Sequence, residues 1–255
     1  MMKRFRKDQL EVKIFDSRAE MGREAANDVS ACIKKLLESK QHINMIFAAA
    51  PSQNEVLAAL KADKSIPWER IRAFHMDEYI GLPADAPQGF GNFLRRAIFD
   101  SVPFESVNFI DPTAPDAEEE AARYGKLIDD NPPDLIVMGI GENGHIAFND
   151  PPVADFNDAK SAKVVELDEI CRNQQVHDGC FSRIDLVPKQ AVTLTVPVFS
   201  RAPHLFCVVP APTKADAVYK TINGEIGERC PATVMRTHKD ATLYLDPDSA
   251  SKLEI

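Results

Sequence analysis

The amino-acid sequence predicts an α/β protein: a doubly wound, mostly parallel sheet in three layers, Rossmann-like in plan, with an irregular lid segment. Three observations support that class. Apolar runs of strand length alternate with longer segments whose apolar residues recur at helical spacing, which implies right-handed crossovers between parallel strands. One apolar run, Leu135-Ile136-Val137-Met138, leads directly into Gly139-Ile140-Gly141-Glu142-Asn143-Gly144-His145, and glycines let a backbone turn tightly at the carboxyl end of a strand. The stretch from Pro151 to about Gln190 breaks the alternation, and a long polar departure after a chemistry-bearing loop reads as a lid.

Leu10 to Phe15 alternates apolar and polar residues, as a strand does. Asp16 or Ser17 then caps a helix running to about Ser39, with Met21, Ala25, Val29, Ile33 and Leu37 on one face. Ile43 to Ala50 reads as a central strand, and Pro51-Ser52 opens a helix bearing Val56, Leu57 and Leu60. Ile71 to Met76 is a short strand ending in Asp77-Glu78. A helix over roughly Gly91–Ser101 and a short apolar run at Val107 to Ile110 follow. Ala117 to Asp130 reads as an exposed helix with a Glu-rich first turn, favourable at the positive helix end. Further on, Leu205 to Val209 is apolar and leads through Pro210-Ala211-Pro212-Thr213 into a helix from Lys214 to about Asn223. Thr242 to Leu245 is a late strand. With no repeat or Gly/Ser linker, residues 1–255 are expected to form one domain with a lid over approximately 151–190.

Composition narrows the function. At 44% hydrophobic and 27% charged the chain has ordinary soluble character, and its net charge of −9 disfavours general binding to nucleic acid or anionic membrane. A local basic pocket for a phosphorylated small molecule remains open. No segment reaches the roughly 18 apolar residues of a membrane span, and the basic start, Met1 to Asp8, is followed by no signal-peptide core. Five cysteines with no Cys-x-x-Cys pair fit a reduced, cytoplasmic protein.

Four strand ends could carry chemistry. The glycine loop holds Asn143, Gly144, His145 and Asp150, and His145 is the natural proton donor or acceptor near neutral pH. Its Gly-x-Gly-x-x-Gly spacing meets no acidic residue where a dinucleotide fingerprint needs one. His75-Met76-Asp77-Glu78-Tyr79 offers paired acids, either proton acceptors or a helix cap. Ala48 to Asn54, with Ser52 and Gln53, pairs small residues with a helix start, either an anion site or a tightly packed turn. Thr213-Lys214 places an ammonium at another helix start, for phosphate or for solvent. The spacings of His145, Asp150, His177 and Cys180 match no zinc pattern, so no metal is expected.

With these motifs in place, the chain resembles the glucosamine-6-phosphate deaminase (isomerase) family from about Asn44 to Leu253. The likeness is most specific at Met76 to Leu82, at Gly141 to Pro151 with its Gly-His-Ile-Ala-Phe-Asn core, and at Lys214. The related 6-phosphogluconolactonases share the fold and the Gly-His pair but lack the Ile-Ala-Phe-Asn continuation. The resemblance implies a reaction without metal or other cofactor, glucosamine 6-phosphate going to fructose 6-phosphate and ammonia. His145 would assist ring opening and Asp77 would move the proton between C2 and C1. Asp150 would partner the histidine and Lys214 would bind phosphate; Ser52, Gln53, Glu78 and Gly144 would complete the sugar-phosphate site. Family members range from monomers to hexamers, so a homo-oligomer is possible.

Three departures from the family pattern stand out. Asn143 replaces an aspartate two residues before the histidine, Asp150 replaces a glutamate, and Ala50 to Gln53 replaces the usual Gly-Gly-Thr-Pro phosphate loop. The family's lid arginine has no clean counterpart; Arg172 and Arg183 are the candidates, with Arg172 favoured. Hydrolysis of a sugar-phosphate lactone and non-catalytic sensing of a sugar phosphate are the alternatives.

Overall fold

The computed structural model describes residues 3–254. Its main sheet has eight strands: β1 (Lys3–Lys7), β2 (Leu10–Ile14), β3 (Ile43–Phe47), β4 (Ile71–His75), β6 (Ser106–Asn108), β7 (Leu135–Met138), β10 (His204–Val209) and β11 (Ala241–Leu245), in the spatial order β1-β2-β11-β10-β7-β3-β4-β6. Every neighbouring pair is parallel except β1 with β2. A second, antiparallel sheet joins β5 (Asp77–Tyr79), β9 (Gln190–Leu194) and β8 (Ala162–Glu166).

The period of two along the central strands builds the layers. On β7, Leu135 and Val137 pack into one core, and Ile136 and Met138 into the other. The first core includes α1 (Arg18–Leu37), α2 (Asn54–Ala62) and α3 (Phe90–Leu94); the second includes α4 (Ala117–Asp130), α6 (Val196–Arg201) and α7 (Ala215–Asn223). Ser17 caps α1 by accepting from the Glu20 N–H, and Asp116 caps α4 through Glu118 and Glu119.

The order places a switch point between β3 and β7. From β3 the chain crosses to β4 on one side, whereas β7 has β10 on its other side, so the loops leaving β3 and β7 diverge around a crevice. These loops are Ala48 to Gln53 and Gly139 to His145.

The sequence reading omits some of these elements for identifiable reasons. Strand β1 is Lys-Arg-Phe-Arg-Lys, whose charges suit an exposed antiparallel edge and mask any apolar run. Strand β5 is three residues long and two of them are acids. The 151–190 segment holds β8 and α5 (Glu169–His177), the helix capped by Asp168 accepting from the Ile170 N–H. The expected helix near Gly91–Ser101 is α3 followed by a wide turn over Arg95–Phe99. No helix among the described residues is long and apolar enough to cross a membrane.

Candidate active site

The crevice at the switch point is an open cleft of about 520 Å³, counting its solvent-filled mouth. Asp77, His145, Ser52, Gln53 and Lys214 all line it, together with Gln174 and Gln175 from α5. Phe90, Phe148 and Met76 form apolar parts of its wall. Phe90 and Phe148 stack 5.4 Å apart and both pack on Tyr79, at 4.7 and 5.4 Å. Each such contact is worth about 0.5–1.5 kcal/mol beyond area burial, which stiffens the wall two residues from Asp77.

His145 owes its place to glycine. A Cβ on Gly141 would lie 2.1 Å from the imidazole, so only glycine lets the ring lie against that backbone. Nδ1 of His145 sits 2.8 Å from Asp150 Oδ1, off the ideal N–H direction, which makes the contact more electrostatic than a well-formed hydrogen bond. With Nδ1 on the carboxylate side, Nε2 is the nitrogen left for a ligand.

Asn143 acts one step back. Its Nδ2 donates to Asp150 Oδ1 at 2.8 Å, and its Oδ1 accepts the His145 backbone N–H at 3.0 Å. Donor and acceptor roles are both fixed by these partners, so the amide orientation is unambiguous. Asn143 therefore holds the carboxylate and the main chain, not the imidazole ring. Burial alone would raise the Asp150 carboxyl, but the adjacent His145 and bonds from Asn143 and the Asp168 N–H hold it below the ordinary value.

Asp77 lies where the chain leaves the main sheet for the small one. Strand β4 ends at His75, the Met76 carbonyl accepts the Leu194 N–H at 2.8 Å, and Asp77 pairs with Thr193. Among the described residues no hydrogen bond reaches the Asp77 carboxylate. Burial, and then the neighbouring Glu78 charge, push it well above the usual carboxylate range. A carboxylate so raised is suited to accept a proton near neutral pH.

His75 is a support that sequence reasoning did not single out. Its Nε2 accepts the Ile110 N–H at 3.0 Å, so its Nδ1 carries the proton and donates to the Asp77 carbonyl at 2.9 Å. Burial drives its pKa down to about 4, which keeps this tautomer neutral through the physiological range.

Lys214 is buried, and its ammonium has no hydrogen-bonded side-chain acceptor among the described residues. Burial lowers its pKa, opposed by the Asp178 and Glu142 carboxylates. It sits at the start of α7 just after Ala211, a non-glycine residue at φ 84° and ψ 151°. The Asp246 carboxylate holds the Ala211 N–H at 3.1 Å. Opposite, Gln53 donates to the Val208 carbonyl and to Ser52 Oγ, each at 3.1 Å, and the Ser52 hydroxyl itself donates to no described residue. Gly139 permits this approach, because a Cβ there would be 3.0 Å from the Gln53 amide nitrogen.

Three anticipated ligand contacts take other roles. Glu78 accepts from the N–H groups of Tyr79, Phe90 and Gly91 at 2.8–2.9 Å, so it caps α3 rather than facing the cleft. Gly144, at φ 88°, makes the loop turn, and its carbonyl accepts the Ala232 N–H; a side chain there would strike Cys230 Sγ. Arg172 donates to the carbonyls of Ile184 and Val187 at 2.7 and 2.9 Å, clamping the lid's own backbone instead of reaching a ligand. Arg183 pairs with Asp185 on the surface. Conversely, Gln174 and Gln175 were legible only as part of a polar run. The signal was their spacing with Cys171, i, i+3 and i+4, which puts two amides on the buried face of α5.

His145, Asp150 and Cys171 offer ligand atoms within 4.8 Å of one another, the one such cluster among the described residues. Burial and the adjacent Asp150 charge raise the Cys171 thiol well above its usual value, and Asp150 is already engaged by Asn143, so the donor set suits proton relay better than ion capture.

A family profile described as glucosamine-6-phosphate isomerases/6-phosphogluconolactonase matches residues 16–244. A glucosamine-6-phosphate deaminase of Bacillus cereus is 32% identical over 219 residues, 86% of this chain and 81% of that one. A solved monomeric glucosamine-6-phosphate deaminase superposes with a TM-score of 0.86 at 27% identity, covering 94% of this chain and 98% of the other. The 6-phosphogluconolactonase of Trypanosoma cruzi has a TM-score of 0.80 at 19% identity, over 99% of each chain, a likeness of fold.

Proposed function

The chain belongs to the glucosamine-6-phosphate isomerase/6-phosphogluconolactonase family, and from that premise we propose that it deaminates and isomerises an amino-sugar phosphate, glucosamine 6-phosphate or a close hexosamine phosphate. The observation that carries this reading is that Asp77 and His145, from different loops, face one cleft that also holds the buried Lys214 ammonium.

In this reading Lys214 holds the phosphate, with the Ser52 hydroxyl as a second donor. His145, through Nε2, shuttles the proton that opens the sugar ring, and Asp150 stabilises the imidazolium formed on the way, with Asn143 holding that carboxylate in register. Asp77 takes the proton from C2 of the open-chain sugar and returns it to C1. Removal of the C2 proton, with O1 protonated, gives an enolamine; its protonation at C1 gives an imine at C2, where water adds and ammonia leaves, giving fructose 6-phosphate. The 151–190 segment serves as a lid on a single domain.

Incubating purified protein with glucosamine 6-phosphate, and following ammonia and fructose 6-phosphate, tests the proposal. Equimolar appearance of both supports it. No release from any hexosamine phosphate, with wild type and Asp77→Asn equally inactive, contradicts it. Consumption of a 6-phosphosugar lactone without ammonia release from hexosamine phosphates would reassign the site to hydrolysis.

A further inference from the structure

The cleft contains a polar side chain to which neither the fold nor the proposed chemistry gives a task. Gln175 is only 6% exposed and lines the cleft, yet its carboxamide makes no hydrogen bond with any described residue. Its nitrogen and oxygen reach the solvent of the cleft, where a ligand would replace that water. The helix that carries it is not loosely placed. Its neighbour Gln174 accepts the Glu142 N–H at 2.8 Å through Oε1 and donates to Asp178 at 3.3 Å, tying α5 to the glycine loop. Arg172, one turn earlier, fixes the 184–187 turn. The Gln175 amide is thus held at the cleft by its surroundings while remaining unpaired.

Its chemistry narrows what it would meet. A carboxamide presents N–H donors and a carbonyl acceptor together. A phosphate dianion could use only the donors and would set its oxygens against Oε1. A sugar hydroxyl, which both donates and accepts, satisfies the two halves at once. The anion already has Lys214, the one lysine or arginine lining the cleft among the described residues.

We propose that Gln175 is a specificity-determining contact to a hydroxyl of the substrate's carbon chain, the residue through which the lid helix reads the sugar. This rests on the sugar-phosphate reading above.

The test is calorimetric binding in the Asp77→Asn background, which keeps glucosamine 6-phosphate from turning over. Glucosamine 6-phosphate and inorganic phosphate are the two probes. Gln175→Leu is expected to weaken the sugar phosphate by about 10-fold, leave inorganic phosphate unchanged and leave the melting temperature unchanged, since the amide has no partner among the described residues to lose. Gln175→Ala, which cannot clash, is expected to show the same split. If the background protein binds the sugar phosphate and both variants bind it equally well, the assignment to Gln175 falls and the functional reading stands. Equal weakening of both probes would place the contact on the phosphate and overturn the hydroxyl assignment. Failure of the background protein to bind glucosamine 6-phosphate at all would overturn the sugar-phosphate reading and this inference with it.

Discussion

Replacing Asp77 by asparagine separates the cost of a buried carboxylate from its use. The substitution keeps the side chain's size and removes only the ionisable proton. In the unfolded chain the carboxyl ionises near 3.8; in the fold, burial and then Glu78 hold it well above that value. Below the unfolded value both states carry the proton, and Asp77→Asn is neutral. As pH rises further the unfolded chain releases the proton while the folded chain resists, so wild type loses stability by about 1.4 kcal/mol per unit until the folded pKa is passed. Asparagine has nothing to release. The variant therefore gains relative to wild type as pH rises above about 4, by roughly 3–5 °C in melting temperature for each unit of the raised pKa in a domain of this size. Turnover should fall by about 10²–10⁴, the usual worth of a positioned base. Thermal melts of both proteins from pH 4 to 8, paired with initial rates, check this. A flat difference in melting temperature, or a wild type more stable than the variant at pH 7, would refute the claim that the fold bears the strain of that charge.

Three further outcomes follow from the same geometry. Gly141→Ala pushes a methyl into the His145 ring, so activity should drop about 10²-fold with the fold retained, as judged by circular dichroism; full activity would mean the ring is not where catalysis needs it. Asn143→Asp replaces the donor to Asp150 by a second carboxylate, losing a bond to a charged group worth about 1.5–3 kcal/mol and raising the Asp150 carboxyl. Because Asp150 is held low in the native state, its stabilising contribution disappears as pH falls, and the variant should lose it at higher pH; the acidic limb of kcat/KM moves up with it, and an unmoved limb argues against the relay. Ala211→Gly relieves a backbone strain of about 1–3 kcal/mol, less about 0.5–1 kcal/mol of chain entropy, so denaturant unfolding should show a gain of about 1 kcal/mol; a loss would mean Asp246 holds the turn at no cost.

The parallel layers were legible because buried strands such as Leu135–Met138 have no alternative reading, and their period of two sorts side chains between the two cores. The loops at the switch point were legible for a different reason, since glycine and proline mark turns by backbone geometry. The small antiparallel sheet was not, because β5 is a three-residue strand with two acids and finds its partner β9 more than 100 residues later. At the site, residue type marked Asp77, His145 and Lys214, but direction could not be read: Glu78 and Arg172 have the right chemistry and are consumed by backbone groups, whereas Gln175 looks unremarkable and keeps its amide for the cleft. Orientation depends on tertiary partners that spacing does not encode.

The most direct test of two strand ends acting on one sugar is to offer glucosamine 6-phosphate and 6-phosphogluconolactone, side by side, to wild type and Asp77→Asn. Deamination needs both side chains, His145 to open the ring and Asp77 to move the proton from C2 to C1, whereas lactone hydrolysis needs only His145 and a water. The account predicts ammonia and fructose 6-phosphate from wild type, and their near-complete loss in Asp77→Asn. Rapid lactone hydrolysis by both proteins, with no ammonia from either, would contradict it.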